Sequence, residues 1–140
     1  MKIALGSDEK TPLTDAVAAH LSDRGHTLKL IGPLAGQQLG WVAVGKSVGR
    51  AVAQGEADAG VLFCWTGTGA SIAANKVSGV RAALCTDAAT AAGSRRWNDA
   101  NVLVMSLRLT SPEVAREIID IWLTTEPDPA EKDEIASLEG

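Results

Sequence analysis

Residues 59–71 read Ala59-Gly60-Val61-Leu62-Phe63-Cys64-Trp65-Thr66-Gly67-Thr68-Gly69-Ala70-Ser71. The first six form an unbroken apolar run, the pattern of a strand buried on both faces. Trp65 to Gly69 make a turn that a helix interior would not choose, and Ser71 to Lys76 predicts a helix. Strand, glycine-rich loop and helix form one unit of a parallel sheet, and the unit recurs in both directions along the chain. Upstream, Lys2 to Ser7 is a short apolar run closed by a Gly-Ser-Asp cluster. Pro12 then opens a helix whose Leu13, Val17 and Leu21 share a face, and Gly25 stops it. Leu28 to Ile31 predicts a second strand, the stretch up to Gly40 a loop, and Val44, Val48, Ala51 and Val52 a second helical stripe. Downstream, Val80 to Leu84 and Val102 to Met105 predict strands, Ala88 to Ala92 opens a helix, and Pro112 to Leu123 closes the pattern with an amphipathic helix. Five continuously apolar strands interleaved with helices require cover on both faces, because a sheet wet on one side would alternate polar residues. The fold class is α/β, a doubly wound three-layer α/β/α sandwich with a five-stranded parallel sheet.

The chain has 140 residues, enough for one compact domain. Its 46% hydrophobic and 21% charged residues exclude disorder, collagen and coiled coil. A net charge of -4 argues against a nucleic-acid partner, which selects a strongly basic face. Thr124 to Gly140 holds six acids and only Lys132 as a base, so the acidity sits in this tail. The expected division is therefore residues 1–123 as the α/β domain and 124–140 as an acidic C-terminal tail. No apolar run approaches the roughly 20 residues that span a bilayer, so no membrane partner is expected. The two cysteines, Cys64 and Cys85, in a chain without a basic-then-apolar leader point to the reducing cytoplasm and to no disulfide framework.

In open parallel sheets, ligands bind at the carboxyl ends of the strands. Three loops there carry polar chemistry: Ser7 to Lys10, Cys64 to Ser71, and Cys85 to Asp87. In the central loop, Gly67 and Gly69 let the backbone turn tightly and aim successive N–H groups inward, with a helix N-terminus behind them, a setting that holds an anion. The same glycines also suit a purely structural strand-to-helix turn. A dinucleotide fingerprint fails, because its third glycine would fall at Ile72 and the motif does not open the first βαβ unit. Cys64 ends a buried strand just before the helix, where a thiol is readily ionised, although most free cysteines are simply small buried hydrophobes. Cys85 has a weaker case. His20 and His26 lie away from the strand ends and are expected on the surface, and no cluster with metal-ligand spacing is present.

Residues 64–76, the run Gly79-Val80-Arg81-Ala82-Ala83-Leu84-Cys85 and the run Asn98-Asp99-Ala100-Asn101-Val102-Leu103 together resemble the ribose-5-phosphate isomerase B and galactose-6-phosphate isomerase family. The resemblance runs from Met1 to about Leu123. It implies a Rossmann-like sandwich, a homodimer or homotetramer with active sites between subunits, a small-molecule sugar or sugar phosphate as partner, and aldose–ketose interconversion through an enediolate without a cofactor. By the same resemblance Cys64 is the base that moves the proton between C1 and C2, and Thr66 assists between the oxygens. Gly67, Thr68, Gly69, Ala70 and Ser71 form the oxyanion loop. Asp8 contacts the sugar hydroxyls and assists ring opening, Asn98 binds substrate and Arg108 lies near the phosphate.

The departures point to an altered substrate. Glu9 stands where the family has a histidine after Ser-Asp, and Trp97 stands where a histidine precedes Asn-Asp. No arginine follows Arg116, so the family's C-terminal phosphate arginines have no counterpart. Trp65 takes a position that is usually glycine, and Trp41 lies in the region of a substrate-side tyrosine. The expected consequences are an open-chain substrate or ring opening by Asp8 and Glu9, and a weakened preference for phosphate. A non-catalytic sugar-binding or regulatory relative of the same fold is the alternative. Trp122, on the last helix, reads as core.

Overall fold

The computed structural model describes residues 1–139. Five strands, β1 (Lys2–Ser7), β2 (Thr27–Ile31), β3 (Ala59–Cys64), β4 (Ala82–Leu84) and β5 (Val102–Ser106), form one parallel sheet in the order β2-β1-β3-β5-β4. Helices α1 (Pro12–Asp23), α2 (Trp41–Ala53), α3 (Thr68–Asn75), α4 (Ala88–Asn98) and α5 (Pro112–Thr124) cover its two faces, and a short α6 (Lys132–Ala136) follows in the tail. The three-layer sandwich agrees with the sequence reading.

Strand alternation sorts the core. Ile3, Leu5, Val61, Phe63, Leu103 and Met105 point to one face, beneath α1 and α5. Ala4, Leu62, Cys64, Val102 and Val104 point to the other, beneath α2 and α3. Burying each large apolar side chain contributes roughly 1.5–3 kcal/mol, so both layers are strongly held. The helix starts are locally encoded. Thr11 and Thr14 cap α1 reciprocally, with Pro12 at the first position, and the Asp87 and Ser111 side chains accept N–H groups of Thr90 and Val114 at the starts of α4 and α5.

Some local expectations change. α3 begins at Thr68 rather than Ser71, because Gly67 serves as its left-handed N-cap. β4 begins at Ala82, not Val80: the Val80 N–H closes a turn onto the Val77 carbonyl and the Arg81 N–H goes to the Asn101 side chain. A 3-10 turn over Gly32–Ala35 occupies part of the loop before α2. His20 is buried, not on the surface, because it faces α5 and its Nε2 lies 2.7 Å from Asp120 Oδ1. Trp122 is core, only 2% exposed. The tail folds back toward β4, where the Glu139 carboxylate accepts the Gly79 N–H at 2.8 Å and the Ser78 hydroxyl at 3.1 Å. No helix among the described residues is long and apolar enough to cross a membrane.

Candidate active site

Cys64 is the last residue of β3, paired with Ser106 at the end of β5. The pleat turns its side chain toward α3, and it is 5% exposed. There Sγ accepts the backbone N–H of Ala70 at 3.4 Å, in the first turn of α3. A helix N-terminus carries partial positive charge and favours an anion. The Ala70 and Ser71 N–H groups are taken by Cys64 Sγ and the Gly67 carbonyl. The first N–H groups of a helix have no intrahelical acceptor. Those of Thr68 and Gly69 have no backbone acceptor among the described residues.

Two glycines shape this loop. Gly67 has φ +80°, and a Cβ there would lie 2.5 Å from Leu84 Cδ1 and 3.3 Å from the Met105 carbonyl group. At Gly69 a Cβ would lie 2.8 Å from Cε3 of Trp41, so the indole from the first turn of α2 rests directly on the loop. The hydroxyls of Thr66 and Thr68 meet at 2.7 Å, a pair through which a proton can pass.

The turn after β5 is welded to the same loop. Leu107 N–H donates to the Cys64 carbonyl, and Arg108 N–H and the Ser106 hydroxyl both donate to that of Trp65, at 3.1 and 2.8 Å. Arg108 is thereby anchored beside Trp65, its side chain exposed and in no ion pair among the described residues. Of the other cations near the sequence motifs, Lys10 pairs with Asp15 at 2.7 Å, and Arg95 is held by Asp99 and by the Ala100 and Thr125 carbonyls.

Asp8 and Glu9 follow β1, whose Ser7 lies beside Phe63 in the sheet. The Ser7 hydroxyl donates to the Glu9 carbonyl at 2.6 Å and accepts the Glu9 N–H, which fixes the turn. Burial pushes the Asp8 carboxyl above its ordinary value; its own backbone N–H opposes this and neighbouring Glu9 adds to it. Cys85 is also pushed up by burial, and its Sγ hydrogen-bonds with Ala83 O and Ser94 Oγ inside a packed cluster, which suits an inert core thiol. Among the described residues no group of three His, Cys, Asp or Glu side chains could hold a metal ion.

The carboxyl end of the sheet thus gathers Asp8, Glu9, Cys64, Trp65, Thr66, the loop Gly67 to Ser71, Trp41 and Arg108. Trp97 and Asn98 are elsewhere. They end α4 just before Val102, which pairs with Gly60 and Ala82 at the opposite end of the sheet. Four residues of β5, roughly 13 Å of strand, separate that end from Cys64. A groove of about 580 Å³ lies there, along β4, lined by Asn75, Arg81, Asn98 and Glu139 among others. Sequence reading did not foresee Ser106, whose buried hydroxyl braces the site; a serine at the end of an apolar run was the available signal.

The sequence model of a family described as Ribose/Galactose Isomerase matches residues 3–137. The chain is 41% identical over 123 residues to ribose-5-phosphate isomerase B of Escherichia coli (strain K12), covering 87% of this chain and 83% of that protein. It is 34% identical over 128 residues to a D-erythrulose-4-phosphate isomerase of Pectobacterium atrosepticum, covering 90% and 84% respectively. Its fold is similar to that of Clostridium thermocellum ribose-5-phosphate isomerase B, with TM-score 0.92 and 36% identity over 99% of this chain and 95% of that one.

Proposed function

The chain belongs to the ribose/galactose isomerase family of sugar-phosphate isomerases, and we propose that it interconverts an aldose and a ketose phosphate by direct proton transfer, without a cofactor. The observation that carries the reading is the Ala70 N–H on Cys64 Sγ at the N-terminus of α3. As thiolate, Cys64 takes the hydrogen from C2 of the open-chain aldose. The electron pair moves into C1–C2, and the C1 oxygen becomes an enediolate oxygen facing the N–H groups of Thr68 and Gly69. The Thr66–Thr68 hydroxyl pair carries the O2 proton to O1. The Cys64 thiol then returns its proton to C1, leaving a ketone at C2. Base, shuttle and preorganised donors are what such a step requires. Arg108 meets the phosphate, and Asp8 and Glu9 receive the sugar hydroxyls.

The working unit in this reading is a homodimer or a larger symmetric assembly. Trp97 and Asn98, remote from Cys64 in their own chain, then stand at the rim of the partner's site. Half-exposed Trp41, Trp65 and Trp97, with Ile72 at 62% exposure, supply apolar surface for such a contact. The two free, buried thiols fit the reducing cytoplasm.

The test is hydrogen exchange from substrate in D2O. Cys64→Ala is expected to abolish exchange and turnover while leaving the fold and sugar binding intact, and Cys85→Ala to be mild. Full exchange in Cys64→Ala would remove Cys64 as the base. A wild-type protein that bound a sugar phosphate and exchanged nothing would be the non-catalytic relative. Light scattering at micromolar concentration tests the assembly, and a strictly monomeric mass would refute it.

A further inference from the structure

The end of β5 holds a hydroxyl that takes no part in the proton transfers described above. Ser106 lies beside Cys64 in the sheet and is 3% exposed. Its Oγ donates to the Trp65 carbonyl at 2.8 Å and accepts the Leu109 N–H at 3.2 Å. A buried hydroxyl is costly unless it is bonded. This one is spent on two backbone groups that lie outside every strand and helix.

Those two groups belong to the two halves of the site. Trp65 links Cys64, the base, to Thr66, half of the hydroxyl pair. Leu109 follows Arg108, the phosphate contact. The Trp65 carbonyl also accepts the Arg108 N–H at 3.1 Å, so both of its lone pairs are taken. With the Arg108 bond alone, the Trp65 peptide would be free to pivot about it. The Ser106 hydroxyl supplies the second direction, and two donors from one turn then fix the peptide plane. That plane sets where the Cys64 sulfur and the Thr66 hydroxyl stand relative to one another.

We propose that Ser106 is a positioning residue for the proton transfer, a role that rests on the isomerase reading above. Its hydroxyl holds the Trp65 peptide so that Cys64 and the Thr66–Thr68 pair address the carbon and the oxygens of one bound substrate. A misplacement of about 1 Å, even one caused far from the reacting atoms, costs on the order of a hundredfold in rate. Ser106→Ala removes the donor to Trp65 and the acceptor of Leu109. The Arg108 N–H bond to Trp65 remains, so the arginine stays beside the loop and phosphate binding persists. The loss falls on the chemical step rather than on binding.

The experiment compares wild type, Ser106→Ala and Ser106→Thr on D-ribose 5-phosphate and D-erythrulose 4-phosphate, following exchange in D2O and product by NMR. It is repeated with substrate deuterated at the carbon whose hydrogen exchanges. Per folded molecule, Ser106→Ala is expected to lose kcat about tenfold with KM within about threefold of wild type. A full primary isotope effect is expected to show that the slowed step is proton transfer. Ser106→Thr, which keeps the hydroxyl, is expected to recover most of kcat. Slow amide hydrogen exchange at Arg108 and Leu109 in wild type is expected to report the bridge without any substitution. A Ser106→Ala kcat within about twofold of wild type, with the loss confined to Tm, overturns this proposal and leaves the isomerase reading standing. Fast exchange of both amides in wild type does the same. No exchange from either sugar phosphate in wild type overturns the isomerase reading and this proposal with it.

Discussion

Gly67→Ala tests whether the loop geometry, rather than the mere presence of Cys64, makes the site. Two costs add at this position. Gly67 has φ +80°, and holding an L-residue in the left-handed region costs roughly 1–2 kcal/mol. The new methyl would also sit 2.5 Å from Leu84 Cδ1 and 3.3 Å from the Met105 carbonyl group. Leu84 is half-buried and can swing aside, but the Met105 backbone cannot, so overpacking adds about 1 kcal/mol. The expected loss is about 2–3 kcal/mol, read as a lower urea midpoint or a drop in Tm of roughly 5–10 °C. Catalysis is expected to fall beyond what unfolding explains, because the strained residue separates Thr66 from Thr68 and sets the first turn of α3. Leu84→Ala in the same chain should recover part of the steric cost and none of the dihedral cost, a coupling of about 0.5 kcal/mol in a double-mutant cycle. If Gly67→Ala stayed within about 0.5 kcal/mol of wild type with exchange activity unchanged, the reasoning from φ and contact would be refuted.

Asp8 links function to a stability cost. Its folded-state value is raised above the ordinary 3.8 by burial, so its favourable contribution exists only in acid and is lost as pH rises through the raised value. Asp8→Asn should therefore raise the denaturation midpoint at pH 7, with the gain shrinking toward pH 3, while turnover falls; equal midpoints at pH 7 would contradict this. Asp120 behaves in the opposite sense. The Arg24 hydrogen bonds hold its carboxyl below the ordinary 3.8, burial opposes them, and His20 adds a smaller lowering. Its stabilisation is present above that value and disappears as pH falls through the lowered one. Asp120→Asn should lower the midpoint at pH 7 and converge with wild type in acid, and a pH-independent gap would refute the ionic account.

Most of the architecture was legible because the central strands are apolar runs and the starts of α1, α4 and α5 carry their own caps. A parallel sheet buried on both faces leaves no other use for runs such as Ala59 to Cys64 or Val102 to Met105. The misread details lie where tertiary contacts override local pattern. His20 is polar and isolated in sequence, yet α5 brings Asp120 to it. Val80 is a good strand residue, yet its N–H is drawn into a turn and the side chain of Asn101 takes the next one.

The candidate site divides in the same way. The sequence by itself determined the chemistry available: one cysteine at a strand end, two glycines and two threonines in the loop behind it, and no histidine that could join them. Only the tertiary structure decided what those groups do together. Strand alternation turns Cys64 toward α3, where the Ala70 N–H meets its sulfur. Trp41, 28 positions before Gly69, is laid on that glycine by the packing of α2 against α3. Asn98 is carried to the far end of the sheet because α4 runs back against the strand direction. Such placements depend on contacts between segments far apart in the chain, which local periodicity does not encode.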